Sequence, residues 1–289
     1  MNQTLLKLAP FAFLGLWSAG YGIASLALRY TDPMTLLLLR FLCVIAIMAV
    51  MFAVLRPPLP KTRADWGHLA LVGLFIQTIY FGFSYYAFDI GIAVGTVALI
   101  MSFQPILVAI LAPTSTGERV SRKRWMGLML GLLGTGLVIT ARSTVEAPPL
   151  IGFVFCAIAL AGITSGSLWE KRFGLDHHPV TSNLIGYSAG LIGLIPFIIA
   201  QDGYHVDWTW QFGAALAYLV IGNSVIAVSL LLAMIRAGDV SSVSSLLFLV
   251  PPLAALIAWL LVGETMPLWG WAGIGIAAVG VYIATRKSI

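Results

Sequence analysis

Apolar residues fill ten long stretches of the chain, and short polar or small-residue segments separate them. A helix needs about 20 apolar residues to cross the hydrocarbon core of a membrane. The pattern therefore predicts an all-α membrane protein with ten transmembrane helices. They are Leu8–Leu28, Met34–Leu55, Trp66–Phe88, Ala93–Ala112, Arg124–Ala141, Leu150–Trp169, Pro179–Ala200, Trp210–Arg236, Val240–Val262 and Pro267–Thr285.

An offset of 146 residues relates the two halves of the chain without a gap. It superimposes Gly117-Glu118 on Gly263-Glu264, and it also pairs Pro33 with Pro179, Pro105 with Pro251, and Trp125 with Trp271. We interpret residues 1–146 as a first repeat (helices 1–5) and 147–289 as a second (helices 6–10), within one membrane domain. Five is an odd number, so the second repeat is expected to have inverted topology.

The charges support this arrangement. Apolar residues make up 60% of the chain and charged residues only 9%, which is too few for a water-facing surface. With the N-terminus inside, 13 of the 16 basic residues fall on the cytoplasmic side, as the positive-inside rule requires. We therefore expect both termini in the cytoplasm of a multi-pass protein of the cell (inner) membrane. The net charge of +5 is an orientation signal and does not indicate nucleic-acid binding.

Polar side chains in helix 3 recur at helical spacing. Gln77, Tyr80 and Ser84 share one face, which is expected to point into the protein because polar groups face lipid at a cost. The 146-residue offset pairs Gln77 with Asn223, so these two residues are candidates for opposite walls of a central cavity. Tyr85 and Tyr86 are instead expected in an aromatic belt at the membrane surface.

Three other helices carry candidate binding residues. In helix 1, Trp17 lies too deep for a belt, and Tyr21 follows one turn later. Proline removes a backbone donor, so matched prolines in helices 4 and 9 predict a kinked or broken pair at a binding site. The candidates there are the hinge residues Pro105 and Pro251 and the binding residues Ser102, Ser244 and Phe248.

Arg40 is the one basic residue well inside a predicted span. A charge at that depth needs an interaction partner or access to a water-filled path. The sequence favours neither a functional nor a structural role for Arg40. Glu118 and Glu264 lie at the ends of apolar runs and are expected to tie loops. The glycine rows Gly127/Gly131/Gly134 and Gly273/Ala277/Gly280 are typical of tight helix packing, with a dimer interface as the alternative.

The doubled Gly-Glu pair, each followed by a Gly-rich helix, together with Trp17, Pro33 and Arg40, resembles the EamA-type members of the drug/metabolite transporter superfamily. The resemblance covers essentially the whole chain. It implies ten helices around a central cavity and transport by alternating access. Within the superfamily the chain looks most like the bacterial exporters of aromatic and other neutral amino acids.

The leading hypothesis is therefore a transporter, an exporter or facilitator of aromatic and neutral amino acids. The first alternative is a multidrug or organic-cation carrier, because aromatic walls also attract cations. An intramembrane enzyme is disfavoured, since the sequence has no catalytic triad, phosphate loop or metal-ligand spacing, and neither metal nor cofactor is expected. The expected partners are a small-molecule substrate and the lipid bilayer, with the chain as a monomer or weak homodimer. No carboxylate is evident deep in a span, which favours transport without proton coupling.

Overall fold

The structure, a computed structural model, describes residues 3–92, 94–140, 150–173, 177–201, 203–238, 240–253, 256 and 268–285. The predicted all-α class is confirmed in these residues. The helices are α1 (Gln3–Ala27), α2 (Pro33–Leu55), α3 (Arg63–Asp89), α4 (Val94–Met101 and Gln104–Ser115), α5 (Arg122–Thr140), α6 (Leu150–Phe173), α7 (Pro179–Ala200), α8 (Trp210–Ala237), α9 (Val240–Leu253) and α10 (Leu268–Thr285).

Eight helices in the described part of the chain are long and apolar enough to cross a membrane, namely all except α5 and α9. Three basic residues in the first turn lower the mean hydropathy of α5, and the described part of α9 is short. Ten spans therefore stays a prediction. The sixth helix was predicted to end at Trp169, but it continues to Phe173. Glu170 is only 1% exposed there, because it is ion-paired with Arg236.

Local signals explain where several helices begin. Pro33 and Pro179 occupy first-turn positions, where the backbone N–H that proline lacks would have no partner within the helix. Thr62 and Asp65 form a reciprocal capping box at the start of α3. In the loop after α4, Gly117 has a φ of 74°, which favours glycine and accounts for the first half of the Gly-Glu pair. Glu264 and its glycine lie outside the described residues.

Two pairs of helices are irregular at matching positions. Wide π-helical turns interrupt α3 at Leu74–Phe81 and α8 at Leu219–Val228, and the ends of the two segments match within one residue after the repeat offset. The chain leaves α-helical geometry at Ser102 and Phe103 in α4, just before Pro105, and adopts 3₁₀ geometry at Leu246–Leu249 in α9, just before Pro251. Such irregular turns are common at functional sites because they redirect side chains.

The two halves pack against each other through paired helices. Helix α5 lies along α10, α2 along α7, α3 against α6, and α1 against α8. Small residues allow the first contact: a Cβ atom added at Gly134 would lie 2.3 Å from the backbone nitrogen of Ala277. The predicted role of the glycine rows in tight packing is confirmed for α5 and α10.

Ion pairs join helix ends at one face of the bundle. Glu118, after α4, binds Arg124 at the start of α5 at 2.8 Å and also contacts Ser241 at the start of α9, which confirms that Glu118 ties a loop. Arg236 at the end of α8 binds Glu170 at the end of α6 and donates a 3.0 Å hydrogen bond to Ser182 at the start of α7. The first group of contacts joins the end of α4 to the starts of α5 and α9, and the second joins α6, α7 and α8.

At the other face, the loop between α1 and α2 contacts the loop between α7 and α8. Thr31 donates a hydrogen bond of 2.7 Å to the carbonyl of His205, and Asp32 accepts one of 2.8 Å from the His205 backbone N–H. Gln201 accepts a hydrogen bond from the backbone N–H of Met34. The polar contacts thus connect the first repeat with the second at this face too.

Candidate functional site

A small cavity rich in aromatic side chains lies between α1, α3 and α8, and we call it the aromatic cavity. Nine residues line it: Trp17, Gly20 and Tyr21 on α1, Tyr80, Phe81, Ser84, Tyr85 and Phe88 on α3, and Asn223 on α8. Glycine at position 20 lets the Asn223 side chain approach closely, because a Cβ atom there would lie 2.3 Å from Nδ2 of Asn223. The α1 backbone and the Asn223 amide therefore meet at the cavity wall.

The rings of the aromatic cavity are held in a fixed arrangement. Trp17 and Tyr80 are stacked, with ring centroids 6.0 Å apart and planes inclined by only 9°. Tyr21 and Tyr80 share a hydrogen bond of 2.9 Å between their hydroxyl groups. Phe88 meets the edge of Tyr21 at a centroid distance of 6.4 Å. Such walls can accept a flat apolar group while offering hydroxyl groups beside it.

The aromatic cavity is small in this conformation. Its free volume is about 20 Å³, which is room for about one water molecule. A second recess of similar size, between α1, α4, α6 and α9, shares Tyr21 with it. A small organic molecule therefore enters the cavity only after the surrounding helices separate.

A buried arginine lies directly behind the cavity wall. Arg40 on α2 is 0% exposed, and its guanidinium donates hydrogen bonds of 2.7 Å to Oη of Tyr85, Oδ1 of Asn223 and Oγ of Ser224. Its central carbon lies 4.2 Å from the centroid of the Phe81 ring. Within the described residues no carboxylate lies within ion-pair distance of Arg40. Its charge is stabilised by neutral groups alone.

The structure brings together five of the predicted binding residues and separates the rest. Trp17, Tyr21, Tyr80, Ser84 and Asn223 all line the aromatic cavity. Gln77 instead lines a different recess, between α3, α7 and α8, together with Glu170 and Arg236. The pairing of Gln77 with Asn223 across one space is therefore absent, because the wide turns of α3 aim Gln77 toward α7, where its side chain packs against Gly190.

The candidates on α4 and α9 also lie away from the aromatic cavity. Ser102 donates a hydrogen bond of 2.6 Å to the carbonyl of Leu99 in its own helix. Ser244 accepts one of 3.3 Å from Gln104, which links α9 to α4. The Phe248 ring packs on Gly131 of α5. Pro105 and Pro251 follow the irregular turns described above, and their role as hinges stays a prediction.

The predicted belt position of Tyr85 is wrong. Tyr85 is 3% exposed and binds Arg40, whereas Tyr86 packs against Phe155 and Phe197 on the far side of α3. A signal was present in the sequence, because Phe81, Tyr85 and Phe88 recur at helical spacing and form one face. Ser224 carried no comparable signal: its contact with Arg40 depends on how α8 approaches α2.

The described residues offer no evident metal centre, since no three of their His, Cys, Asp and Glu side chains converge. The chemistry of the cavity is that of noncovalent binding: stacked rings, hydroxyl groups, an amide and a buried cation.

Comparison with known proteins identifies the family. The profile of the EamA-like transporter family matches the chain twice, over residues 8–140 and 150–286. A protein of Salmonella typhimurium named "Probable amino-acid metabolite efflux pump" is 27% identical over 280 residues, covering 92% of this chain and 90% of its own. The protein of the same name in Escherichia coli K12 is 25% identical with the same coverage.

Two further relatives agree. The "Uncharacterized inner membrane transporter YedA" of Escherichia coli K12 is 23% identical, covering 96% of this chain and 89% of its own. A solved crystal structure superimposes with a TM-score of 0.79 at 20% identity, over 98% of this chain and 97% of the other, which shows a shared fold. Because the family profile covers nearly the whole sequence in two copies, the chain belongs to the EamA-like transporter family.

Proposed function

We propose that this protein exports aromatic and other neutral amino acids across the cell (inner) membrane by alternating access. The observation that carries the proposal is the aromatic cavity, where stacked rings and polar groups meet at the interface of α1, α3 and α8. An amino acid has the matching composition: an apolar or aromatic side chain and a polar head group.

Two relatives support the substrate class and direction, because both are named as amino-acid metabolite efflux pumps. Another is named as an inner membrane transporter, which supports the location. These names describe transport and no covalent reaction, which agrees with a chain that is not an enzyme.

Each part of the cavity has a distinct role in this proposal. The substrate side chain lies against Trp17 and Tyr80, where each aromatic contact contributes about 1 kcal/mol. The head group binds the polar wall that contains Ser84 and Asn223. The side-chain oxygen of Ser84 is buried and has no hydrogen-bond partner among the described residues, which leaves it available to bind a ligand.

The two repeats support alternating access as the transport mechanism in this proposal. Inverted repeats let one set of helices rock against the other around a central site. Here the contacts of α1 with α8 and of α3 with α6 are equivalent under exchange of the repeats. The ion pairs at Glu118 and Glu170 lie at the face that the basic residues assign to the cytoplasm. Opening toward the cytoplasm therefore requires these helix ends to separate.

The test is transport by the purified protein in liposomes. Labelled phenylalanine, tryptophan and leucine are offered, and the accumulated label is analysed by chromatography. The proposal expects saturable uptake of unchanged amino acid that empty liposomes lack. Absence of uptake for all amino acids, or recovery of a chemically altered product, would contradict it.

A further inference from the structure

Arg40 lies one side chain behind the aromatic cavity and contacts it from outside. Three of its neighbours, Phe81, Tyr85 and Asn223, line the cavity, whereas Arg40 itself is completely buried. A buried cation is costly, and in the described residues this one has no carboxylate to neutralise it. Its positive potential therefore extends into the cavity through a thin neutral wall.

The hydrogen bonds of Arg40 also fix which polar atoms the cavity presents. A guanidinium has five N–H donors and no acceptor. It donates to one lone pair of Asn223 Oδ1 and to one of the Tyr85 hydroxyl oxygen, each at 2.7 Å. With Oδ1 held by Arg40, the Nδ2 amide of Asn223 lies against Gly20 on the cavity wall, and Tyr85 retains its hydroxyl proton. Arg40 thus leaves a hydrogen-bond donor of each residue for a ligand in the cavity.

The same geometry disfavours cationic ligands. Organic cations bind aromatic residues over the ring face, but Arg40 already lies over the face of Phe81 at 4.2 Å. The hydroxyl groups of Tyr21 and Tyr80 are hydrogen-bonded to each other. A second cation in the cavity would also be repelled by Arg40 in a region of low dielectric constant.

We infer that Arg40 makes the aromatic cavity selective for a carboxylate, which binds Asn223 Nδ2 and the Tyr85 hydroxyl, and that it rejects amines lacking one. Arg40 is a positioning residue: it acts through Asn223 and Tyr85. The inference rests on the proposed function, since it assigns the head-group end of the same cavity.

The first test measures binding of three matched ligands to the wild-type protein in lipid nanodiscs by calorimetry. Phenylalanine has both head groups, 3-phenylpropionate has only the carboxylate, and phenethylamine has only the amine. The first two are expected to bind, and phenethylamine to bind at least about tenfold more weakly, as loss of a charge-assisted contact implies. Equal or tighter binding of phenethylamine would overturn the inference.

The second test changes the donor wall. Asn223→Asp supplies a carboxylate that neutralises Arg40 and presents acceptors, with almost no change of shape. Arg40→Gln removes the cation, and Arg40→Lys retains it. The exposed Arg29, replaced in Arg29→Gln, is the control, because this change also lowers the net charge by one. The measured quantity is the ratio of the phenylpropionate and phenethylamine affinities, which a purely structural role would not shift.

Asn223→Asp and Arg40→Gln are expected to reduce this ratio by about tenfold, whereas Arg40→Lys and Arg29→Gln keep the preference for the acid. If Arg40→Gln fails to fold, the inference is still tested by the three ligands with the wild-type protein and by the affinity ratio of Asn223→Asp. An unchanged ratio in Asn223→Asp would overturn the inference but leave the proposed function standing. Failure of the wild-type protein to bind or transport any of the three ligands would overturn the proposed function itself.

Discussion

The Tyr21 hydroxyl on α1 and the Tyr80 hydroxyl on α3 are hydrogen-bonded at 2.9 Å, with both side chains buried. Both residues line the aromatic cavity, beside the Trp17–Tyr80 stack. The bond joins α1 to α3 at the cavity. In the proposed transport cycle this bond breaks when the two helices separate to admit a substrate.

Packing between α5 and α10 supplies the first prediction. In Gly134→Ala, the new Cβ atom would meet the backbone of Ala277 at 2.3 Å, so unfolding should become easier by about 1–3 kcal/mol. Gly136→Ala is the matched control in the same helix, because nothing lies within 4 Å of its Cβ position, and it should be neutral or slightly stabilising. Thermal unfolding in detergent measures both. Equal losses would contradict the packing described here.

A second prediction concerns the buried ion pair at one face. Glu170→Ala leaves the partly buried Arg236 without its carboxylate and should destabilise the protein by up to about 3 kcal/mol. Glu170→Gln keeps an acceptor for Arg236 and should cost less. Thermal unfolding in detergent measures both variants. An unchanged unfolding temperature in Glu170→Ala would mean that the ion pair does not stabilise the contact between the helix ends.

Topology is the third prediction. The distribution of basic residues predicts that both termini are cytoplasmic, so a reporter fused after Ile289 should be active only on the cytoplasmic side. A reporter inserted near Asp202 should be active only in the periplasm. Periplasmic activity at Ile289 would exclude an even number of spans with a cytoplasmic N-terminus.

The fourth prediction is that transport in liposomes needs no imposed pH gradient. Among the described residues, no carboxylate lines the aromatic cavity, and the buried Glu170 lies in a different recess, paired with Arg236. Uptake of labelled phenylalanine is compared with and without a gradient. Strict dependence on the gradient would contradict the prediction, and Glu170 would then be the first residue to replace.

The helical class, the glycine contacts and the shared face of Tyr80 and Ser84 could be predicted from the sequence, because these depend on periodicity within a helix. Trp17 was predicted from its depth in helix 1 and Asn223 from the 146-residue offset, and both residues line the aromatic cavity. The direction of a side chain in an irregular helix does not follow from such patterns. Gln77 lies in the π-helical turns of α3 and lines a different recess. The contacts of Arg40 join three helices distant in sequence, so periodicity along one helix could not reveal them.

The most direct test of the aromatic cavity as the substrate site is transport of labelled phenylalanine by three alanine variants in liposomes. Trp17→Ala and Tyr80→Ala each remove one aromatic contact worth about 1 kcal/mol and should weaken apparent affinity several-fold. Tyr86→Ala removes a ring of the same helix that packs away from the cavity, and it should change transport less. Expression and monodispersity control for folding. Unchanged transport in Trp17→Ala and Tyr80→Ala, with a large loss in Tyr86→Ala, would contradict the account.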